Sequence, residues 1–323
     1  MFDITCSIVL FHNPVQEIKN AIESFTRSSK RVKLFLVDNS GDDSFRYVFN
    51  SPHVEYIYNG RNLGYGTAHN IAIQKAKGIS KYHLVLNPDV EFDPAILSRL
   101  FKFMEEHPDT GLVMPKILYR NGDTQYLCKL VPAPTDLFIR RFIPGPLKKL
   151  FRKQLDNYEL KNKDYNYILE TPNLSGCFMF IRTEVFSGIG MFDERYFLYL
   201  EDTDLCRRIN EKYRTLYYPS VCIIHGYSKA SYKSLRLMKL HLSSSIKYFN
   251  KWGWFRDVKR KIINTSILNN SYMMRKTPVL TIPVVHQFPE LFSDFIFDER
   301  WHVEDRRQKK QEINANALMN SFT

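Results

Sequence analysis

The stretch "YFLYLEDTDLCRRI", from Tyr196 to Ile209, gathers Glu201, Asp202 and Asp204 behind an aromatic, apolar run and ahead of a basic helix. Carboxylates this close repel one another, so the grouping needs a use. Capping is one: Asp202 or Thr203 stands where the N-cap of a helix bearing Leu205 and Ile209 would fall, and the helix dipole favours acids in a first turn. That explains one or two acids better than three. Acid–base or metal chemistry is the other, because a carboxylate at a helix start can take the proton of a hydroxyl. Like-charge neighbours and partial burial raise its pKa and make it a better base.

Four other stretches carry groups of the same kind. "LVDNSGDDS" ends an apolar run on Asp38, either an ordinary turn or an acceptor for the imide N–H of a uracil or thymine. "NGRNLGYGTAHN" sets Gly64 and Gly66 before a helix, where backbone amides face a phosphate well, yet its spacing fits neither GxGxxG nor a P-loop. "LVLNPDV" delivers Asn87 and Asp89 across one proline, either a plain turn or two hard oxygen ligands suited to Mg²⁺ or Mn²⁺ on a diphosphate. His225 closes "VCIIHG" and becomes a candidate ligand only if it lies near Asp89.

The elements that must position these groups alternate. "ITCSIVLF", "VKLFLVDNS", "VEYIYN" and "YHLVLNPDV" read as buried strands, and "TLYYPSVCIIHG" as a last one. Between the early strands, "PVQEIKNAIESFTRS", "GTAHNIAIQKAKG" and "PAILSRLFKFMEEHP" have helical apolar spacing, the last stopped by Pro108. Strands alternating with helices predict a mostly parallel sheet covered on both faces, with ligands beyond the carboxyl ends of its strands. Asp38 and Asp89 fall at two such ends.

The 323 residues suffice for one large α/β domain with an extension, or for two domains. The net charge of +12 points toward phosphates: a nucleic acid, a nucleotide or an anionic membrane face. No helix-turn-helix, zinc-finger or aromatic RNA-binding motif supports the nucleic acid. The cysteines Cys6, Cys128, Cys177, Cys206 and Cys222 form no CxxC pair, which favours a reducing compartment. The amino terminus reads as a strand rather than a signal peptide, and no apolar run is long enough to span a bilayer. Basic residues instead interleave with Phe, Leu and Trp in segments 137–153 and 232–261. In the second, Leu235, Met238, Leu242, Ile246 and Phe249 recur at helical spacing, either as core or as a membrane-facing stripe. Lys233, Arg236, Lys239, Lys247, Lys251, Arg256, Lys259, Arg260 and Lys261 are countered within it by Asp257 alone. The expectation is peripheral attachment to the cytoplasmic face of an anionic membrane.

In order, "VDNSGDDS", "NLGYGTAHNIAI", "LNPDV", "GLVMPKI", "LSGCFMFIRTEVFSGIGMFDERYFLYLEDTDLCRRI" and "YYPSVCIIHGYSKAS" resemble the family 2 glycosyltransferases of the GT-A fold, in particular their bacterial rhamnosyltransferase-like branch, over roughly residues 3 to 250. The resemblance implies an α/β GT-A fold, a Rossmann-like mixed sheet. Its catalytic domain would cover 1–230, with a nucleotide-sugar half to about 115, an acceptor half beyond it, and a helical, basic extension over 231–323. It implies that Asp38 binds the base, that Asn62, Gly64 and Asn70 shape the floor under the nucleotide, and that Asn87 and Asp89 stand at the DxD metal motif with Asn87 in place of its first Asp. Asp202 would be the base, Glu201 and Asp204 would hold the acceptor or orient that base, and His225 would join Asp89 on the Mg²⁺ or Mn²⁺. The implied reaction is single in-line displacement with inversion. The donor would be dTDP-rhamnose or else a UDP-sugar (galactofuranose, glucose or N-acetylglucosamine), and the acceptor lipid-linked or glycan. A catalytically dead binding subunit is the rival, and the intact set Asp38, Asp89, Asp202 and His225 speaks against it.

Overall fold

The computed structural model describes residues 1–49, 51–226 and 234–269. Strands β1 (Phe2–Leu10), β2 (Val32–Asp38), β3 (Val54–Tyr58) and β4 (Ser80–Leu86) alternate with helices α1 (Val15–Thr26) and α2 (Tyr65–Ala76). Short β5 (Val90–Glu91), helix α3 (Ala95–Glu106) and β6 (Thr110–Leu118) follow. The middle of the chain holds α4 (Pro134–Phe142), α5 (Gly145–Lys148), a 3₁₀ turn, α6 (Arg152–Tyr158), β7 (Leu169–Glu170), β8 (Phe178–Arg182) and α7 (Val185–Ile189). The last elements are α8 (Glu201–Ile209), β9 (Arg214–His225), α9 (Leu235–Trp252) and α10 (Val258–Asn269).

These strands form one sheet in the order β3-β2-β1-β4-β8-β6-β9-β5, with β7 also on β9. The first four are parallel, as the alternating pattern requires. Beyond them the expected parallel run breaks: β8 lies antiparallel between β4 and β6. Phe178, the first residue of β8, pairs with Leu86 at the carboxyl end of β4, so β8 enters the sheet from that rim. The carboxyl ends of β1, β2 and β4 align at that rim, with Leu10 opposite Asp38 and Ile8 opposite Leu86. The single "YHLVLNPDV" strand divides at Asn-Pro-Asp into β4 and β5, and β5 sets Val90 opposite His225.

β1 alternates as a covered strand should. Ile4, Cys6, Ile8 and Leu10 pack under α1 with Ile18 and Phe25, while Val9 packs with Phe35, Val37, Ala68 and Ala72 toward α2. Thr5 and Ser7, which share the face of Val9, are buried polar groups and need partners. Thr5 Oγ1 meets His83 Nδ1 at 2.9 Å, and Ser7 Oγ joins His83 Nε2 at 2.9 Å to His69 Nδ1 at 2.7 Å. Burial lowers the pKa of both histidines, His83 to about 3, which keeps the imidazoles neutral.

α9 and α10 belong to the same compact unit as the sheet. The rest of the expected extension, 270–323, lies outside the described residues. α9 buries Ser244, Ser245, Tyr248 and Phe249. Of the apolar stripe read from sequence only Phe249 is core; Leu235, Leu242 and Ile246 are exposed. The small serines allow the close approach, and Ser244 Oγ donates to the Leu198 carbonyl.

The basic residues of this segment are countered more widely than by Asp257. Lys251 pairs with Asp193 and Asp204, Lys259 with Glu211, and Lys247 donates to the Arg195 carbonyl. Asp257 itself is taken by Arg207 of α8, whose guanidinium donates to both carboxylate oxygens at 2.7 and 2.8 Å and lies 4.2 Å from the Trp252 ring centroid.

The Arg207 and Asp257 side chains are only 2% and 3% exposed. Removing one partner strands a buried charge, so Asp257→Ala should cost about 3–5 kcal/mol, read by urea unfolding. Burial alone would raise the Asp257 pKa, but the Arg207 bonds lower it further. A lowered carboxylate contributes stability above its unfolded pKa and loses it as pH falls through the folded one. The wild type should therefore lose more stability than Asp257→Ala as pH falls below the ordinary aspartate pKa of about 4. Parallel curves would remove this pair from the acid sensitivity.

Candidate active site

Immediately before α8, Tyr199 and Leu200 both hold left-handed backbone, with φ of 72° and 66°. For residues bearing a Cβ this costs roughly 1–2 kcal/mol each. It persists only where the surroundings over-determine it. They do so here from two sides. The Tyr65 N–H donates to the Phe197 carbonyl at 2.9 Å. Asn70 clamps the loop with both ends of its amide: Nδ2 donates to the Phe192 carbonyl, and Oδ1 accepts the Phe192 N–H, each at 2.9 Å. From the other side comes the Ser244 bond to Leu198. Asn70, expected on the floor under a nucleotide, instead fixes the loop that aims α8.

The three acids of that loop and helix have different surroundings. Asp202 stays part-exposed at the rim. Its Oδ2 accepts the Gly176 N–H at 3.0 Å and its Oδ1 the Thr203 N–H at 2.7 Å. The N-cap of α8 is Leu200, not Asp202 or Thr203 as the sequence suggests; Asp202 accepts one first-turn amide while presenting a carboxylate to the cleft. Glu201 turns inward, and its Oε2 has no hydrogen-bond partner among the described residues. Burial first, then the Asp202 charge, push its pKa well above the usual carboxyl range and favour its neutral form. Asp204 is wholly buried. It accepts from Arg208 Nε and Trp252 Nε1, both at 2.8 Å, and pairs with Lys251 at 2.6 Å. Asp204, expected to hold acceptor hydroxyls or to orient the base, has its oxygens occupied by three cationic or N–H partners and fastens α9 to α8. Glu201, given the same two roles, faces the interior.

Across the rim, Asp38 is fully buried at the end of β2; Oδ1 accepts the Ser40 N–H at 2.8 Å and Oδ2 the Tyr56 hydroxyl at 2.5 Å. Asn39 ties this end to the glycine loop, donating to Asn62 Oδ1 and the Gly64 carbonyl while accepting from Asn59. Asn62 Oδ1 also accepts the Gly64 N–H at 2.8 Å, so Asn62 and Gly64 shape one turn. Gly64 has φ +88°, and an added Cβ would stand 2.3 Å from the Phe197 carbonyl oxygen. The glycine is there because two backbones touch: the loop before α2 rests on the loop before α8.

Asn87 Oδ1 accepts the Tyr65 hydroxyl at 3.1 Å, and that hydroxyl also reaches the Gly176 carbonyl at 2.7 Å. Since the Gly176 N–H holds Asp202, a continuous chain Asn87–Tyr65–Gly176–Asp202 joins the strand end to the carboxylate. The Asp89–His225 pairing set as a condition by the sequence is met: Nε2 lies 3.4 Å from Oδ1. Gln125 fixes the histidine, meeting Nδ1 through Oε1 at 3.0 Å and the His225 carbonyl through Nε2 at 2.9 Å. Burial would lower the His225 pKa, but the Cys177 sulfur and Asp89 outweigh it and raise it to about 10. Among the described residues no group of three or more His, Cys, Asp or Glu side chains is placed to hold a metal alone. Asp89 and, with its Nε2 proton displaced by the cation, His225 would supply two ligands, a number that suits Mg²⁺ or Mn²⁺ completed by phosphate and water oxygens.

Tyr65, Gly176 and Asn39 were within quoted motifs yet not singled out, because their roles are contacts between distant segments. Gln125 carried no local signal at all.

A mixed sheet with an aspartate ending β2, Asn-Pro-Asp after β4 and a helix-start carboxylate facing them across one rim is the arrangement of a GT-A glycosyltransferase. Residues 6–190 match the family described as Glycosyl transferase family 2, and the chain belongs to that family. Asp202 and His225 lie beyond the matched segment. The chain is 25% identical over 295 residues, 85% of this chain and 94% of the relative, to N-acetylglucosaminyl-diphospho-decaprenol L-rhamnosyltransferase of Mycobacterium tuberculosis. It is 26% identical over 253 residues, 75% of this chain and 90% of the relative, to the rhamnosyltransferase WbbL of Escherichia coli. Among solved structures, GalNAc-T7 crystallised with UDP, GalNAc and Mn²⁺ superposes with a TM-score of 0.52 at 16% identity, over 70% of this chain and 43% of that one, a likeness of fold.

Gly64→Ala should destabilise the protein by about 2 kcal/mol or more, since it adds both the strain of a positive φ and a collision with backbone. Differential scanning calorimetry and nucleotide binding together check it. An unchanged melting temperature would mean that the two loops do not rest on one another.

Proposed function

We propose that this glycosyltransferase moves L-rhamnose from dTDP-rhamnose onto a lipid-linked glycan acceptor, with inversion. The names of the two rhamnosyltransferase relatives support rhamnose as the transferred sugar, and the mycobacterial name supports a lipid-linked acceptor. The observation that carries the mechanism is the Gly176 amide on Asp202, which anchors a part-exposed carboxylate at the rim beside the strand ends. Asp202 takes the acceptor hydroxyl proton as that oxygen forms its bond to the anomeric carbon. The bond from that carbon to the diphosphate breaks on the opposite face, and its electron pair leaves with the nucleoside diphosphate. Asp38 is the base-binding residue in this reading, acting with the Tyr56 ring it holds, while Asn62, Gly64 and Asn87 line the diphosphate side. Asp89 and His225 would hold Mg²⁺ or Mn²⁺, which when bound neutralises charge on the leaving group. Glu201, buried behind Asp202, positions that base rather than the acceptor.

Asp202→Asn keeps the side-chain shape and one of the two backbone amide contacts, since its amide nitrogen cannot accept an N–H, and loses the proton acceptor. Transfer should fall at least about 10²-fold with donor affinity nearly intact. Transfer near the wild-type rate would reduce Asp202 to a helix cap. Running dTDP-rhamnose beside UDP-galactofuranose, UDP-glucose and UDP-N-acetylglucosamine tests the donor. Excess chelator should stop transfer, and Mg²⁺ or Mn²⁺ should restore it; full activity in chelator removes the role given to Asp89 and His225.

We also propose peripheral attachment at the cytoplasmic face of the membrane. No helix among the described residues is long and apolar enough to cross one. Leu150, Leu235 and Phe255 are at least 74% exposed. Of the cations in 234–261, Arg236, Lys239, Arg256 and Lys261 have no ion-pair partner among the described residues. Near an anionic leaflet each is worth at most about 1 kcal/mol. Anionic vesicles should pellet the protein at low salt and release it at high salt, and Leu150→Glu with Phe255→Glu should weaken pelleting. Equal pelleting on neutral vesicles would overturn the electrostatic part.

A further inference from the structure

Gln125 is buried although it follows an exposed turn, and a buried amide needs partners at both of its ends. The turn closes after β6. The Gly122 N–H donates to the Tyr119 carbonyl at 2.9 Å, the Tyr119 N–H to the Asp123 carbonyl at 2.8 Å, and the Gln125 N–H returns to the Ile117 carbonyl at 2.8 Å. The side chain thereby meets the last residues of two neighbouring strands, Leu118 of β6 and His225 of β9, where Leu118 pairs with Ile224. Both amide hydrogens are used: Nε2 donates to the His225 carbonyl at 2.9 Å and to the Leu118 carbonyl at 3.2 Å. A flipped amide would set Oε1 against two carbonyl oxygens, acceptor against acceptor, so the backbone fixes its orientation. Oε1 therefore faces His225 Nδ1, 3.0 Å away. An amide oxygen only accepts, so Nδ1 carries a proton. Nε2, 3.4 Å from Asp89 Oδ1, is then the ring nitrogen at which a proton is exchanged for a cation. One side chain holds residue 225 twice, by its ring and by its own carbonyl.

We propose that Gln125 is a positioning residue for the divalent cation: it keeps the His225 proton on Nδ1 and Nε2 turned to the metal, and so sets the affinity of the protein for Mg²⁺ or Mn²⁺. The inference rests on the assignment of Asp89 and His225 to that cation. With two protein ligands, a ring that turned or changed tautomer would remove half of what the protein supplies. An outer partner that fixes a metal-bound imidazole is worth about 10- to 100-fold in metal affinity. If Gln125 only joined the ends of β6 and β9, its loss would lower stability and leave cation affinity alone.

The test needs no turnover. Electron paramagnetic resonance reads Mn²⁺ binding to the full chain in the presence of dTDP, for wild type, Gln125→Met and His225→Asn. Gln125→Met keeps the length of the side chain and loses its acceptor and its donors, and it should weaken Mn²⁺ at least about tenfold. Nitrogen NMR of histidine-labelled protein reads the tautomer, with the His225 signals identified by their loss in His225→Asn. Wild-type Nδ1 should be protonated both without metal and with Mg²⁺ and dTDP, and Nε2 should lose its proton when Mg²⁺ is added. In Gln125→Met the tautomer with its proton on Nε2 should become populated. Wild-type His225 with Nδ1 unprotonated would overturn the proposal. So would Gln125→Met binding Mn²⁺ as tightly as wild type, whatever its melting temperature. Should Gln125→Met fail to fold, the wild-type tautomer still decides. Mn²⁺ binding weakened in His225→Asn but not in Gln125→Met sinks only this inference. Mn²⁺ binding unchanged in His225→Asn, or absent in wild type, sinks the metal assignment beneath it.

Discussion

Two left-handed residues in succession, Tyr199 and Leu200, form the constraint on which the rest of the site depends. The chain must turn there to point the first carboxylates of α8 into the cleft, and neither residue can do so without strain. The compensation comes from elements far apart in sequence: a glycine without a Cβ at 64, an asparagine at 70 that grips one peptide from both sides, and a serine at 244 on a helix beyond the sheet. Each bond is worth about 1 kcal/mol, so together they match the cost. The donor-side loop and the helix bearing the proposed base are thereby set by one contact, and a change at either is felt at the other.

The crowding of three acids is tolerable because the fold treats them differently. Asp202 is held by two backbone amides, whose partial positive charges suit a carboxylate at a helix start. Glu201 is pushed toward its neutral form by burial, which removes one charge from the cluster. Asp204 is neutralised by Arg208 and Lys251. One acid is left with a solvent-facing charge, and it is the one with its neighbours fixed around it.

Helix α9 serves both faces of this arrangement. Its inner face of serines and aromatics supports the strained loop. Its outer face, with α4, lines an apolar groove.

What the sequence determined by itself was local and periodic. Alternating apolar runs specified β1 to β4 and the three helices between and after them, and motif order specified the family and the rim residues Asp38, Asp89 and Asp202. His225 was legible only conditionally, since its meeting with Asp89 depends on β9 pairing with β5 across more than a hundred residues. The tertiary structure alone decided the rest, because burial and pairing are not properties of a motif. It set β8 antiparallel, tied Asp204 to Lys251 and Trp252, and made Asn70 the clamp on the loop before α8. It also showed that helical spacing in α9 marks an amphipathic face without saying which side is covered: Ser244 and Ser245, polar but small, fit against the loop where Leu242 and Ile246 would not.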